Sequence, residues 1–108
     1  MKKKLLFVCT NNMNRSVSAE KLFDGNEKFE AKSAGTSYFA GKKVNELSLE
    51  WADYIVVMEE KHKEFILENF PEFKNKKIFV LDIPDFYNFG DKKLIEILKL
   101  KLNELGLL

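Results

Sequence analysis

The chain has 108 residues, a formal net charge of +1, 45% hydrophobic and 32% charged residues, the profile of one globular domain, residues 1–108, with a core of its own. A charge so near zero, with lysines scattered along the chain, argues against a nucleic-acid partner, and a single cysteine excludes an internal disulfide and a thiolate-rich metal site. Met1-Lys2-Lys3-Lys4 precedes an apolar run too short for a signal peptide, and no stretch is long enough to span a bilayer, so a cytoplasmic protein with no membrane partner is expected.

Leu5–Val8 is an uninterrupted apolar run, the pattern of a strand buried on both faces of a parallel sheet. A polar loop follows, then a helix predicted over Ser16–Phe23, with Ser16 as N-cap and Val17, Ala19, Leu22 and Phe23 inward. Asp24-Gly25-Asn26 stops it. Phe29–Ser33 reads as a second strand and Val44–Ala52 as a helix, with Val44, Leu47 and Trp51 at helical spacing. Tyr54–Met58 is the clearest strand, β-branched and uncharged. An amphipathic helix over Glu59–Phe70 ends at Pro71, and Lys77–Leu81 is a fourth strand. Asp82–Gly90 is a loop rich in Asp, Pro and aromatics. Asp91 then caps a helix over Lys92–Leu105 whose Leu94, Leu98, Leu102 and Leu105 form one stripe.

This alternation predicts an α/β fold: a single three-layer domain whose four-stranded parallel sheet, order 2-1-3-4, carries helices on both faces. Ligands in such sheets bind beyond the carboxyl ends of the strands, at the switch point beside strand 1. The segments leaving the four strands, Cys9–Ser16, Gly35–Phe39, Glu59-Glu60 and Asp82–Tyr87, then converge there.

The first of these segments is Val8-Cys9-Thr10-Asn11-Asn12-Met13-Asn14-Arg15-Ser16. It holds the only cysteine and, among 18 basic residues, the only arginine. Cys-x5-Arg-Ser between a strand and a helix is a phosphate-binding pattern. Five intervening residues let the backbone curl so that its N–H groups point at an anion, and the helix adds its free N-terminal N–H groups. A planar guanidinium grips two phosphoryl oxygens, which a lysine cannot do. The same positive surroundings favour a thiolate. The competing reading, a buried core cysteine beside a solvent-facing arginine, fits poorly with the polar residues that follow Cys9.

These residues resemble the low-molecular-weight protein tyrosine phosphatase family. Three anchors match in order: Cys9 with Arg15-Ser16, then Ser33-Ala34-Gly35-Thr36, then an Asp-bearing loop after the last strand. The resemblance spans the chain, which looks like a compact version of the family. It implies a metal-independent, cofactor-free phosphatase that hydrolyses phosphotyrosine, in a protein or a small aryl phosphate, through a phosphocysteine. Cys9 is then the nucleophile and Arg15 the clamp. Thr10, Asn11, Asn12, Met13, Asn14, Arg15 and Ser16 bind phosphate or another oxyanion. Ser16 assists the thiolate, Asn12 braces the loop with a tolerated left-handed backbone, and Ser33 supports Asn12. Asp85 is the general acid by alignment with the family's Asp-Pro-Tyr, ahead of Asp82; Asp91 is better explained as a helix cap. Phe39 and Tyr87 fall where relatives place aromatic walls, although core packing explains either residue too. Met13 is apolar where related protein-arginine phosphatases carry Thr, which favours phosphotyrosine.

The chain also departs from the family. Asn11 replaces a glycine and Asn14 replaces a second cysteine, so oxidised Cys9 lacks a disulfide rescue. Val17 replaces a proline. The acid motif reads Pro84-Asp85-Phe86-Tyr87. These departures leave open a phosphate-dependent binding module with weak or no turnover; the resembled fold also hosts arsenate reductases, an alternative that with a single cysteine would need an external thiol. His62 reads as a surface residue between two lysines, and Trp51 as a packing residue against the sheet.

Overall fold

In a computed structural model describing residues 1–108, strands and helices alternate from one end to the other: β1 (Lys3–Cys9), α1 (Arg15–Leu22), β2 (Phe29–Gly35), α2 (Glu46–Trp51), β3 (Tyr54–Val57), α3 (Glu60–Asn69), a 3₁₀ turn (Pro71–Phe73), β4 (Lys77–Val80) and α4 (Lys92–Glu104). The sheet is four-stranded in the order β2-β1-β3-β4, and every pair is parallel. The expected topology is therefore the observed one.

Alternation along β1 divides the interior in two. Leu5, Phe7 and Cys9 point to one face, where they meet Ala19 and Phe23 near α1 and Leu94, Leu98 and Leu102 of α4. Leu6 and Val8 point to the other, against Leu49 of α2 and Ile66 of α3. Each fully buried side chain of this size contributes about 1.5–3 kcal/mol, so the central strand is tied to both helical layers. Phe7 stacks on Phe23 at 5.6 Å between centroids. No helix is long and apolar enough to cross a membrane.

Differences from expectation are local. β2 extends two residues further, to Gly35, because its ladder with β1 runs on to the Cys9–Gly35 pair. α2 starts only at Glu46, since Asn45 and Ser48 form a reciprocal capping box there. Its buried residue is Leu49, whereas Leu47 is 80% exposed; Val44 is buried but lies before the helix, so it does not mark the helix's inward face. Trp51 is half-buried against the sheet, with Lys32 Nζ 4.5 Å from its ring centroid. The Leu stripe of α4 is buried at Leu94, Leu98 and Leu102 and ends before the exposed Leu105. Ser16 is not the N-cap of α1; Asn14 holds that position, and its side chain makes no capping bond. Both side chains are used elsewhere.

Candidate active site

The register of β1 carries Cys9 to the carboxyl edge of the sheet, where the chain leaves as an irregular loop and returns as α1. Three groups fix the loop around the sulfur. The Asn12 backbone N–H donates to Cys9 Sγ at 3.3 Å, and Ser16 Oγ lies 3.0 Å from Sγ. Asn12 Nδ2 donates to Ser16 Oγ at 3.0 Å, which leaves the Ser16 hydroxyl proton free to point at sulfur. Two donors therefore face Sγ. Asn12 Oδ1 accepts the backbone N–H of Lys42 at 3.0 Å, tying the loop to the segment after β2.

Asn12 has φ 54°, a left-handed conformation that asparagine tolerates better than most residues. Asn11, where the family it resembles carries glycine, lies outside the positive-φ region, so asparagine adds no such strain there. Gly35 is required for another reason. A Cβ there would stand 2.6 Å from the Thr10 carbonyl oxygen and 2.7 Å from Ala40 Cβ, distances side chains do not reach. Its absence lets the Thr36 and Ser37 N–H groups donate to the carbonyls of Cys9 and Thr10.

Arg15 is 1% exposed, a buried guanidinium held from the segments that follow β3 and β4. It donates to Glu59 Oε2 at 2.5 Å and to the Ile83 carbonyl at 2.7 Å, and its Nε lies 3.8 Å from Asp85 Oδ1. Burial alone raises the Glu59 pKa. The hydrogen bond and charge of Arg15, with Lys61 behind, outweigh that and leave the carboxyl below its ordinary value.

His62 is not a surface residue. It is 1% exposed because the capping box of α3 folds its ring inward: the Glu59 N–H donates to Nδ1 at 3.0 Å. The proton therefore sits on Nε2, which donates to Thr10 Oγ1 at 2.9 Å. Arg15 reaches the same oxygen at 3.5 Å. Burial, then the Arg15 charge, lowers the His62 pKa to about 4 from 6.5, against the opposing pull of Glu59. Glu59 and His62 bond to Arg15 and Thr10 of the loop; the sequence reading brought Glu59 to this edge without giving it a role and left His62 out of the site. The available signal was their i, i+3 spacing directly after β3, at the edge where the site forms.

A concavity at this edge is lined by Cys9, Asn11, Met13, Asn14, Arg15 and Asp85. Asp82 borders none of it; it faces grooves shared with Lys101 and Glu104 on one side and Glu60 and Lys61 on the other. Asp91 caps α4, accepting the Lys93 N–H at 2.8 Å. Ser33 does not support Asn12. Its hydroxyl donates to Glu20 Oε1, because Asn12 is already satisfied by Ser16 and Lys42. Nor does the structure bring Phe39 into the concavity: its ring is 87% exposed and packs edge-on against Tyr38 at 5.2 Å. Tyr87 is half-buried against the α1–α4 core, and the exposed aromatic beside Asp85 is Phe86. No group of three or more His, Cys, Asp or Glu side chains is arranged to hold a metal.

The chain is similar to known proteins. The family model described as low molecular weight phosphotyrosine protein phosphatase matches residues 4–50. Among solved structures, the YwlE arginine phosphatase from Geobacillus stearothermophilus is 28% identical, with a TM-score of 0.66 over 95% of this chain and 85% of its own. A protein tyrosine phosphatase from Entamoeba histolytica is 25% identical, with a TM-score of 0.74 over 97% and 94% of the two chains. The tyrosine phosphatase Wzb from Escherichia coli K30, solved in complex with phosphate, shares the fold at 23% identity, with a TM-score of 0.78 over 98% and 97%. No curated protein matches the chain by sequence.

Proposed function

We propose that this chain, a cysteine-based phosphatase of the low-molecular-weight protein tyrosine phosphatase family, hydrolyses phosphotyrosine in proteins or small aryl phosphates through a phosphocysteine. The observation that carries the reading is one constellation. Cys9 Sγ faces two donors, the buried Arg15 closes the same loop, and Asp85 stands at its rim.

The Cys9 thiolate attacks phosphorus while loop N–H groups and Arg15 hold the phosphoryl oxygens. The bond from phosphorus to the ester oxygen breaks, its electron pair stays on oxygen, and the Asp85 carboxyl supplies the proton. Such a positioned acid contributes about 10²–10⁴-fold. Asp85, now a carboxylate, takes a proton from water as that water attacks the phosphocysteine. The phosphorus–sulfur bond breaks, the thiolate returns with the Ser16 hydroxyl proton facing it, and inorganic phosphate leaves. Positioning and charge supply nearly all the acceleration in such a transfer. Thr10 takes part through its hydroxyl: its oxygen accepts from His62 and Arg15, so its own proton is free for a phosphoryl oxygen.

The test is hydrolysis of p-nitrophenyl phosphate in mildly acidic buffer with chelator, by wild type and Cys9→Ser. Turnover that depends on Cys9 and survives the chelator is expected; none from the wild type would promote the binding module instead. Arsenate-dependent thiol consumption would point to the reductase. One further substrate is favoured by a specific observation, the 28% identity to an arginine phosphatase. Met13, 64% exposed at the lining of the concavity, supports tyrosine, because an apolar thioether packs on an aromatic ring. Paired phosphotyrosine and phosphoarginine peptides decide between the two.

A further inference from the structure

We propose that Asn14 is a positioning residue for the general acid: its side chain straps the loop bearing Asp85 to the phosphate loop and so sets where Asp85 stands relative to Cys9. This rests on the phosphatase reading above. Asn14 Oδ1 accepts the backbone N–H of Phe89 at 3.1 Å. One turn on, Ser18 Oγ accepts the N–H of Gly90 at 3.1 Å. At the other end of the loop, Arg15 donates to the Ile83 carbonyl at 2.7 Å. Residues 84–88 are thus held at both ends by side chains from residues 14–18, and Asp85 lies between the two anchors.

Two observations separate this from incidental contact. Asn14 occupies the N-cap position of α1, where an asparagine oxygen ordinarily accepts an N–H from the first turn of its own helix. Here it makes no capping bond, and the oxygen serves the loop instead. Apart from the Arg15 Nε that lies 3.8 Å from Asp85 Oδ1, the loop has little else to hold it. Pro84, Asp85, Phe86, Asn88 and Phe89 are exposed, and only Tyr87 packs partly on the core. A general acid acts only at hydrogen-bond reach of the leaving oxygen, and a displacement of about 1 Å can cost on the order of 10²-fold. The exchange of the family's second cysteine for Asn14 acquires a meaning here. A thiol is a weak acceptor beside an amide oxygen, so the chain gives up a redox partner and gains a strap.

The experiment compares kcat/KM for p-nitrophenyl phosphate, whose leaving group needs little protonation, with phenyl phosphate, whose leaving group needs much. Asn14→Ala is expected to raise the ratio between the two esters about tenfold. In an Asp85→Asn background the same substitution should leave the ratio where Asp85→Asn put it, because the strap acts only through that carboxyl. A purely structural role would lower both esters alike and leave the ratio unmoved. An unchanged ratio, or effects that multiply in the double variant, overturns the proposal. If Asn14→Ala fails to fold, Asn14→Cys and Ser18→Ala carry the same comparison. Absence of Cys9-dependent turnover in the wild type would instead strike the phosphatase reading beneath it.

Discussion

Glu59→Gln isolates what a buried arginine requires from its surroundings. Arg15 is 1% exposed, and its closest charged partner is Glu59 Oε2, on a side chain 29% exposed. Stripping one partner from a fully buried pair costs about 3–5 kcal/mol. Here the amide still offers an oxygen, the Ile83 carbonyl stays in place, and Glu59 is partly wet, so about 2 kcal/mol is the expected loss. At about 4 °C per kcal/mol for a domain of this size, the melting temperature falls by about 8 °C. The sign reverses for the ligand. The substitution removes a negative charge beside the anion site, so inorganic phosphate should bind the variant more tightly and raise its melting temperature by more than it raises that of the wild type. Thermal melts with and without phosphate measure both effects.

Acid adds a third reading of the same pair. The Glu59 pKa is lowered in the folded chain from 4.5. Its stabilisation is therefore complete above the unfolded value and is lost as pH falls through the folded one. The gap between wild type and Glu59→Gln should be full at neutral pH and close on acidification. Equal melting temperatures without phosphate, or a smaller phosphate-induced rise in the variant, would refute the reasoning.

His62 gives a second pH prediction. With a folded pKa of about 4 against 6.5, the unfolded chain binds the extra proton first, so stability falls as pH drops from 6.5 towards 4, by about 3 kcal/mol at most. Urea unfolding of His62→Gln should show a flatter slope across that window, and a wild-type slope retained in the variant would remove His62 from the account. For the acid, Asp85→Asn should lower kcat/KM for phenyl phosphate by about 10²–10⁴-fold. Asp82→Asn should change it little, since Asp82 borders other grooves and its φ of 55° suits asparagine equally. A larger loss at Asp82 would assign the proton to the wrong carboxyl.

The fold was legible because its signals are periodic. β1 and β3 are uninterrupted apolar strands, and α4 shows its stripe in Leu94, Leu98 and Leu102. The Cys9–Arg15 loop was legible because the residue types are rare in this chain and their spacing is the one that lets a backbone curl its N–H groups inward. Other assignments failed where a side chain had several possible partners. Ser16 fits a helix cap by position, yet its hydroxyl is claimed by Cys9 and Asn12. His62 lies between two lysines, which says solvent, but a capping bond from Glu59 turns it inward. Ser33 is buried as a supporting residue should be, but Glu20 is its partner. Which acceptor wins depends on tertiary distances, and no local pattern contains them.

The first turn of α1 shows what these allocations share. Arg15, Ser16 and Ser18 are buried although all three are polar, and their side chains and that of Asn14 bond to Glu59, Cys9, Phe89 and Gly90 rather than to one another's side chains. The helix is eight residues long with no side-chain cap, so little of its stability is its own. Beside the core packing of Ala19, it is held by the contacts that shape the site: disordering α1 would free Arg15 and release the Asn14 and Ser18 bonds to the loop that carries Asp85. An oxyanion seated between Cys9 and Arg15 binds only the assembled arrangement, so it stabilises helix and acid loop as one unit. The site is thereby preorganised through the same bonds that fold it, and a substitution at Asn14, Ser18 or Glu59 is read in stability and in catalysis at once.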